Sequence, residues 1–176
     1  NTTAEIDGKD AMNWVKESVA EIAGMGEVVH LQNATAAGYY DHNFLTVVER
    51  GPSHDWIRER MWKVRAREVV LATGSIERPM VFTNNDRPGV MLAGAARTFA
   101  RRYGVKPGRR AVIMTNNSDA YDSAFSLADA GVDVAAIVDI RESVPETVAA
   151  KAAALGIEVI SGHGIVDVDG KKSVSG

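Results

Sequence analysis

The sequence predicts an α/β chain, with a parallel-sheet unit in its second half and a small antiparallel β-meander in its first. Three patterns carry this expectation. From Arg109 onward, short apolar runs alternate with helical stretches: 111–114, 119–130, 132–138, 145–156 and 157–160 read as β-α-β-α-β. Strands alternating with helices in this way form parallel sheets. Between residues 36 and 66 there are three strand-like runs separated by turn formers. At Val69 the pattern changes from alternating to consecutive apolar positions, Val69-Val70-Leu71-Ala72, as in a strand buried on both faces.

Taken in order, Asp10 is a suitable N-cap for a helix to about Ala23, closed by Gly24 and Gly26. Met12, Val15, Val19 and Ile22 recur at spacings of three and four and predict one buried stripe. Glu27 to Leu31 reads as a strand, running into the small-residue passage from Asn33 to Gly38, which leaves room for a flat group against the backbone. Tyr39 to Glu49 reads as strand, turn and strand, with Asp41 and Asn43 as turn formers. Gly51-Pro52-Ser53 makes a loop, and Arg58 to Arg65 is a third strand whose many charges predict an exposed sheet. After two proline turns at Arg78-Pro79 and Arg87-Pro88-Gly89, Leu92 to Arg102 predicts a helix with Leu92, Ala96, Phe99 and Tyr103 on one side. Ser118 is the expected cap of the helix at 119–130 and Ser143 a possible cap of the next. Ile165 to Val168 starts a further meander.

Composition excludes several functions. The net charge is −3, which gives no reason to expect nucleic-acid or anionic-membrane binding. Cysteine is absent, so there is no disulfide, thiolate metal site or thiol nucleophile. This fits a reducing compartment and a cytoplasmic location. No apolar run has the roughly 18 residues of a membrane span, and no signal peptide is visible. Lacking an initiator Met and starting close to a helix, the chain reads as a piece of something longer. His42 sits in the polar run Tyr-Tyr-Asp-His-Asn, but His30, His54 and His163 are scattered and no ligand stands at metal spacing, so turn chemistry accounts for it. No acid–base pair or nucleophile stands out, and no catalytic residue is assigned.

Three motifs, TAAGYYDHNF at 35–44, VVLATGSIERP at 69–79 and TNNDRPGVM at 83–91, are the most distinctive strings in the chain. A strand ending in Ala72-Thr73-Gly74 and leaving through a proline turn resembles the crossover between the two dinucleotide domains of glutathione-reductase-type flavoproteins. The longer strings, in this order, resemble the alpha subunit of heterotetrameric sarcosine oxidase, from about Val28 to Asp139. That resemblance implies a Rossmann-like FAD/NAD(P)-binding fold in an incomplete two-dinucleotide-domain arrangement. Residues 1–79 would be the C-terminal part of the first dinucleotide domain, and 80–176 an inserted second Rossmann-like domain. It further implies an oxidoreductase that demethylates sarcosine to glycine, formaldehyde and hydrogen peroxide. NAD would be held non-covalently by the full-length alpha subunit. FAD and FMN would belong to the complete complex with beta, gamma and delta subunits and not to this segment, which alone would be inactive. Cofactor contacts would fall on the backbone of Thr35, Ala36, Thr73 and Gly74. More loosely, the alpha subunits of opine oxidases, amino-acid dehydrogenases and hydrogen cyanide synthase share the resemblance. A doubly wound domain serving only as a docking scaffold is the reading from another class.

The parallel-sheet unit departs from a working nucleotide fold in its first turn. There a G-x-G-x-x-G/A loop brings backbone N–H groups to a pyrophosphate. Here the turn reads Thr115-Asn116-Asn117-Ser118-Asp119-Ala120, and only Ala120 suits its slot. The Asn117 side chain would project into the pyrophosphate space, and Asp119 would add like charge. Asp139 ends the second strand about where a ribose-binding carboxylate belongs. It is expected as a leftover, or as a solvated acid at a strand end. The unit reads as a Rossmann fold that has lost its nucleotide.

Overall fold

A computed structural model describes residues 5–51 and 56–175. Pro52 and Ser53 of the expected loop, and His54, lie outside the described residues. The chain divides into two compact units between Thr73 and Gly74.

The first unit opens with a hairpin, β1 (Glu5–Ile6) and β2 (Lys9–Asp10), turned by Asp7-Gly8. Both turn residues have positive φ, 52° and 72°. A two-residue turn of that kind matches the twist of a hairpin, and Asp-Gly is a strong signal for it. Helix α1 (Ala11–Gly24) follows, its N-terminus capped as expected: Asp10 Oδ1 accepts from Met12 N (3.1 Å) and Asn13 N (3.0 Å). The expected burial of its stripe is corrected. Met12, Val15 and Val19 are exposed and no residue of α1 is buried, because nothing within the described unit covers that face.

The meander is β3 (Ala34–Tyr40), β4 (Phe44–Arg50) and β5 (Glu59–Arg65), paired antiparallel in that order. The strand expected at Glu27–Leu31 is absent. Asn33, at φ 52°, turns the chain, and the ladder begins only after it, with Ala34 opposite Glu49. A register shift between Ala36 and Gly38 marks a bulge. The space over Gly38 is taken by the ring of Tyr40, into which a Cβ would collide. Covering a strand glycine with a neighbouring aromatic ring is a known device of sheets. The expected turn at 41–43 is a single 3-10 turn with His42 and Asn43 left-handed. Asn43 is its hub: its carboxamide accepts from Tyr39 OH (2.7 Å) and donates to Arg67 C=O (2.9 Å). Turn chemistry therefore explains the polar run around His42.

Val69–Ala72 is not the doubly buried strand the sequence suggests. It has no ladder partner among the described residues, and Val70 is 88% and Leu71 67% exposed. A strand is stable only with a neighbour to satisfy its N–H and C=O groups and a layer to cover it.

In the second unit, β6 (Arg110–Thr115), α3 (Asp119–Asp129), β7 (Asp133–Asp139), α4 (Glu146–Ala154) and β8 (Glu158–Ser161) follow α2 (Ala93–Arg102). The three strands form a parallel sheet in the order β6-β7-β8, as the β-α-β pattern predicts. Helix α3 packs on the sheet, on α4 and on α2. The core lies between them, with Tyr121, Ala124, Ile137 and Ala152 wholly buried. On the predicted face of α2, Ala96 is buried while Phe99 and Tyr103 remain exposed.

The distinctive strings at 75–91 act here as fasteners. Both carboxylate oxygens of Glu77 accept from the first turn of α2, Ala93 N at 3.0 Å and Gly94 N at 2.8 Å. This satisfies two donors that no helix can satisfy internally. Thr83 N donates to Val166 C=O (3.0 Å), Asn84 Nδ2 to Asp167 (2.7 Å) and Arg87 to the Val168 carbonyl. Val174 N donates to Pro88 C=O (2.9 Å), and Val174 packs where a Cβ on Gly89 would stand, at 3.2 Å. The meander expected from Ile165 is therefore replaced by one parallel bridge, Thr83 to Asp167, because residues 83–88 take up its backbone groups. Glu77→Ala should destabilise the second unit by about 1 kcal/mol, the usual worth of an N-cap. Hydrogen exchange at the Ala93 and Gly94 amides checks the cause: both should lose protection while α3 keeps its own.

Candidate functional site

Two places stand where this fold would offer a ligand site. One is the outer edge of the meander, the other the carboxyl edge of the parallel sheet.

Thr35 and Ala36 lie on β3, opposite Val48 and Val47. This is an edge strand, since the sheet order puts β4 on one side of it and no described strand on the other. Half of its backbone groups therefore face away from any ladder. A shallow open recess beside it is lined by Asn33, Ala34, Thr35, Arg50 and Gly51. Both side chains are small and exposed, which suits contact through the backbone. Thr73 and Gly74 lie in the extended connection that leaves the first unit, and both are exposed. Gly74 is left-handed, at φ 69°, and a Cβ there would meet nothing within 4 Å. Among the described residues, no hydrogen bond joins residues 69–73 to β3.

At the carboxyl edge of the parallel sheet, Thr115, Asp139 and Ser161 stand in register at the ends of β6, β7 and β8. This is where open α/β sheets bind nucleotides. The first turn is closed on itself. Thr115 Oγ1 donates to Asn117 C=O (2.9 Å) and accepts from Asn117 N (3.1 Å), while Asn117 Oδ1 accepts from Asp119 N (3.0 Å). Asn117 thereby supplies the cap bond expected from Ser118, which stands at the N-cap position but makes none. Two of the turn's backbone donors, Asn117 N and Asp119 N, are thereby engaged within the turn itself.

Asp139 is neither solvated nor free. It is wholly buried. Its Oδ1 accepts from Arg141 N (3.0 Å) and Nε (3.0 Å), and its Oδ2 from Arg141 Nη2 (2.7 Å) and Tyr121 OH (3.0 Å). Arg141 Nη1 also donates to Ser118 Oγ (3.3 Å), tying the pair to the start of α3. Burial alone would raise the Asp139 carboxyl, but the hydrogen bonds from Arg141 and Tyr121 outweigh it and hold the group below its ordinary value. Burial, then the hydrogen bond to a carboxylate, pushes the Tyr121 hydroxyl up to about 12. Bonding to Asp139 raises the Arg141 guanidinium above its own ordinary value. A ribose on Asp139 would have to displace Arg141 or Tyr121, so these residues do not fit a dinucleotide at this edge. Sequence reasoning missed Tyr121 and Arg141. The available signal was local: an Arg two residues beyond a strand-end Asp, and a Tyr in the first turn of the facing helix.

A crystal structure of an FAD-dependent pyridine nucleotide-disulphide oxidoreductase from Desulfovibrio vulgaris matches 79% of this chain and 37% of its own, with a TM-score of 0.51 at 16% identity. The fold shared with that oxidoreductase is α/β, with one three-stranded parallel sheet, one three-stranded antiparallel sheet and a two-stranded hairpin. Sequence narrows it further. The chain is 46% identical over 96% of its length to the alpha subunit of sarcosine oxidase from Corynebacterium sp. (strain P-1). It is also 39% identical over 80 residues, 46% of its length, to an opine oxidase subunit from Agrobacterium tumefaciens (strain Ach5). It is a homologue of one segment of the sarcosine oxidase alpha subunits, spanning 18% of that relative's length, and its match to the opine oxidase subunit spans 16% of that chain. No family model matches the chain. Among the described residues no helix is long and apolar enough to cross a membrane, and no acidic or histidine cluster could hold a metal.

The buried network predicts how stability depends on pH. Asp139 titrates lower when folded, so its contribution is complete above the ordinary value of 3.8 and is lost as pH falls through the lower folded value. Tyr121 titrates higher when folded, so its contribution is complete below 10.0 and is lost as pH rises through about 12. Two units correspond to about 3 kcal/mol. In denaturant titrations across pH, Tyr121→Phe should abolish the alkaline limb at a cost of about 1 kcal/mol near neutrality. Asp139→Asn should cost about 3 kcal/mol, since the Arg141 charge loses its partner. An unchanged alkaline limb in Tyr121→Phe would assign that limb to other groups.

Proposed function

We propose that this chain is a segment of the alpha subunit of a sarcosine oxidase-like amine oxidoreductase. The whole enzyme would remove the N-methyl group of sarcosine oxidatively, yielding glycine, formaldehyde and hydrogen peroxide. The observation that carries this reading is the 46% identity maintained over 96% of the chain. In it, residues 1–79 belong to the first dinucleotide domain and 80–176 to an inserted second one. The segment contributes part of a non-covalent NAD site in the full-length protein, through the backbone of Thr35, Ala36, Thr73 and Gly74. The edge position of β3 and the open left-handed turn at Gly74 support backbone contacts at those places. When bound, NAD would supply a dinucleotide with hydride-carrying capacity. FAD and FMN, which serve the amine oxidation, belong to the complete complex with beta, gamma and delta subunits. The complex works in the cytoplasm, and this segment alone neither oxidises sarcosine nor reduces oxygen. The likeness to an opine oxidase favours a second reading, in which the same scaffold serves oxidation of an opine.

The test is NAD released on denaturing purified full-length complexes. Gly74→Val should lower the NAD stoichiometry at least severalfold. Its φ of 69° strains any branched residue, so Gly74→Asn, which tolerates that conformation, serves as the second variant. Loss of NAD in both, with normal assembly, supports crowding of a bound dinucleotide. Loss in Gly74→Val alone assigns the effect to backbone strain, and wild-type NAD content in both removes Gly74 from the site.

A further inference from the structure

The amino edge of the parallel sheet carries a surface that the cofactor reading does not use. Residues 97–110 hold six cations, Arg97, Arg101, Arg102, Lys106, Arg109 and Arg110, and no acidic residue. The segment thus holds six of the chain's 20 Lys and Arg residues and none of its 23 acidic ones, in a molecule whose net charge is −3. Three large apolar side chains are exposed among the cations: Phe99, Tyr103 and Val105. The rings of Phe99 and Tyr103 lie 6.1 Å apart, and the Arg102 guanidinium stands 5.8 Å from the Tyr103 ring.

The surface is held in shape. Val105 N donates to Phe99 C=O (3.0 Å), folding the chain back at Gly104. Lys106 Nζ donates to Gly131 C=O (2.9 Å), and Arg101 and Arg110 pair with Asp129 (2.8 Å) and Asp133 (3.3 Å). Among the described residues Arg97, Arg102 and Arg109 take part in no ion pair. Cations at the end of a helix favour its dipole, which accounts for Arg101 and Arg102. It does not account for Arg97 and Arg109, or for exposed aromatic rings beside them. Arginine and aromatic residues on a fixed frame are the composition of a protein-binding anchor.

We propose that the end of α2 and the turn after it form a docking surface for an acidic, partly apolar face of a partner subunit. The charge chooses the partner: a neighbour presenting carboxylates satisfies Arg97, Arg102 and Arg109 while its apolar groups cover Phe99 and Tyr103. This rests on the reading of the chain as part of a multi-subunit oxidoreductase.

The experiment uses the full-length polypeptide purified with its associated subunits, dissociated by dilution at low and high salt. Changing Arg97→Glu, Arg102→Glu and Arg109→Glu together should weaken association of the complex about tenfold or more at roughly 50 mM NaCl, and much less at roughly 500 mM, where exposed charges are screened. Tyr103→Ala should weaken it at both salt concentrations. Lys16→Glu with Lys63→Glu, in the first unit, should leave it unchanged, and circular dichroism of each variant checks that folding is intact. Association of the triple variant equal to wild type overturns the inference alone. A wild-type polypeptide that purifies without partners overturns the multi-subunit reading and this inference with it. Fluorescent duplex DNA bound by wild type but not by the triple variant, with assembly unaffected, assigns the surface to nucleic acid instead.

Discussion

A carboxylate buried at the end of β7 is the constraint on which the second unit depends. Asp139 is wholly enclosed, and an unpaired charge in that setting costs several kcal/mol. The chain meets the cost locally. Arg141 folds back over Asp139 with its own backbone N–H and two guanidinium nitrogens, and Tyr121 closes the remaining side. Each partner comes from a different element, so the network fixes the end of β7, the first turn of α3 and the chain leaving the sheet. His163 N reaches the Asp139 carbonyl and Gly162 N the Arg141 carbonyl, which brings the exit of β8 to the same point.

The same interaction decides what this edge of the sheet can do. In a nucleotide-binding sheet a carboxylate here must present free oxygens, and the first turn must present free N–H groups. Here four donors occupy the carboxylate, and Thr115 with Asn117 and Asp119 turn the loop's bonds inward. Polar residues that would block a phosphate have become the means of stabilising the helix start. The edge is thus built for cohesion, and the proposed cofactor contacts lie elsewhere, on β3 and at the Thr73-Gly74 connection.

How much of this was legible in the sequence follows from how local each cause is. The helix at 11–24 was readable from Asp10, because capping acts over three residues. The order and type of β6 to β8 were readable from the alternation of apolar runs and helical stretches. The Tyr39–Phe44 turn was readable from Asp41 and Asn43. What failed depended on distant partners. Val69–Ala72 has the composition of a buried strand, yet composition does not provide a neighbouring strand. Ile165–Val168 likewise looks like a strand, but its backbone is engaged by Thr83 and Arg87, more than 80 residues earlier. The burial of Asp139 was hidden for the same reason, since Tyr121 lies on another element.

The strings at 69–91 show how a resemblance and a physical role can differ. They suggested a cofactor crossover, and the proposed contacts at Thr73 and Gly74 still lie there. Several of their residues, however, have work that needs no ligand. Glu77 caps α2, Asn84 and Arg87 hold the segment at 166–168, and Gly89 yields room to Val174. Side chains with such fixed partners are constrained by the fold itself, so their presence argues for this architecture more strongly than for any one cofactor. The residues proposed to meet a dinucleotide have the opposite character. Thr35, Ala36, Thr73 and Gly74 are exposed and small, and their side chains have no hydrogen-bond partner among the described residues. A site made of backbone leaves its mark on the path of the chain, and only faintly on which side chains line it.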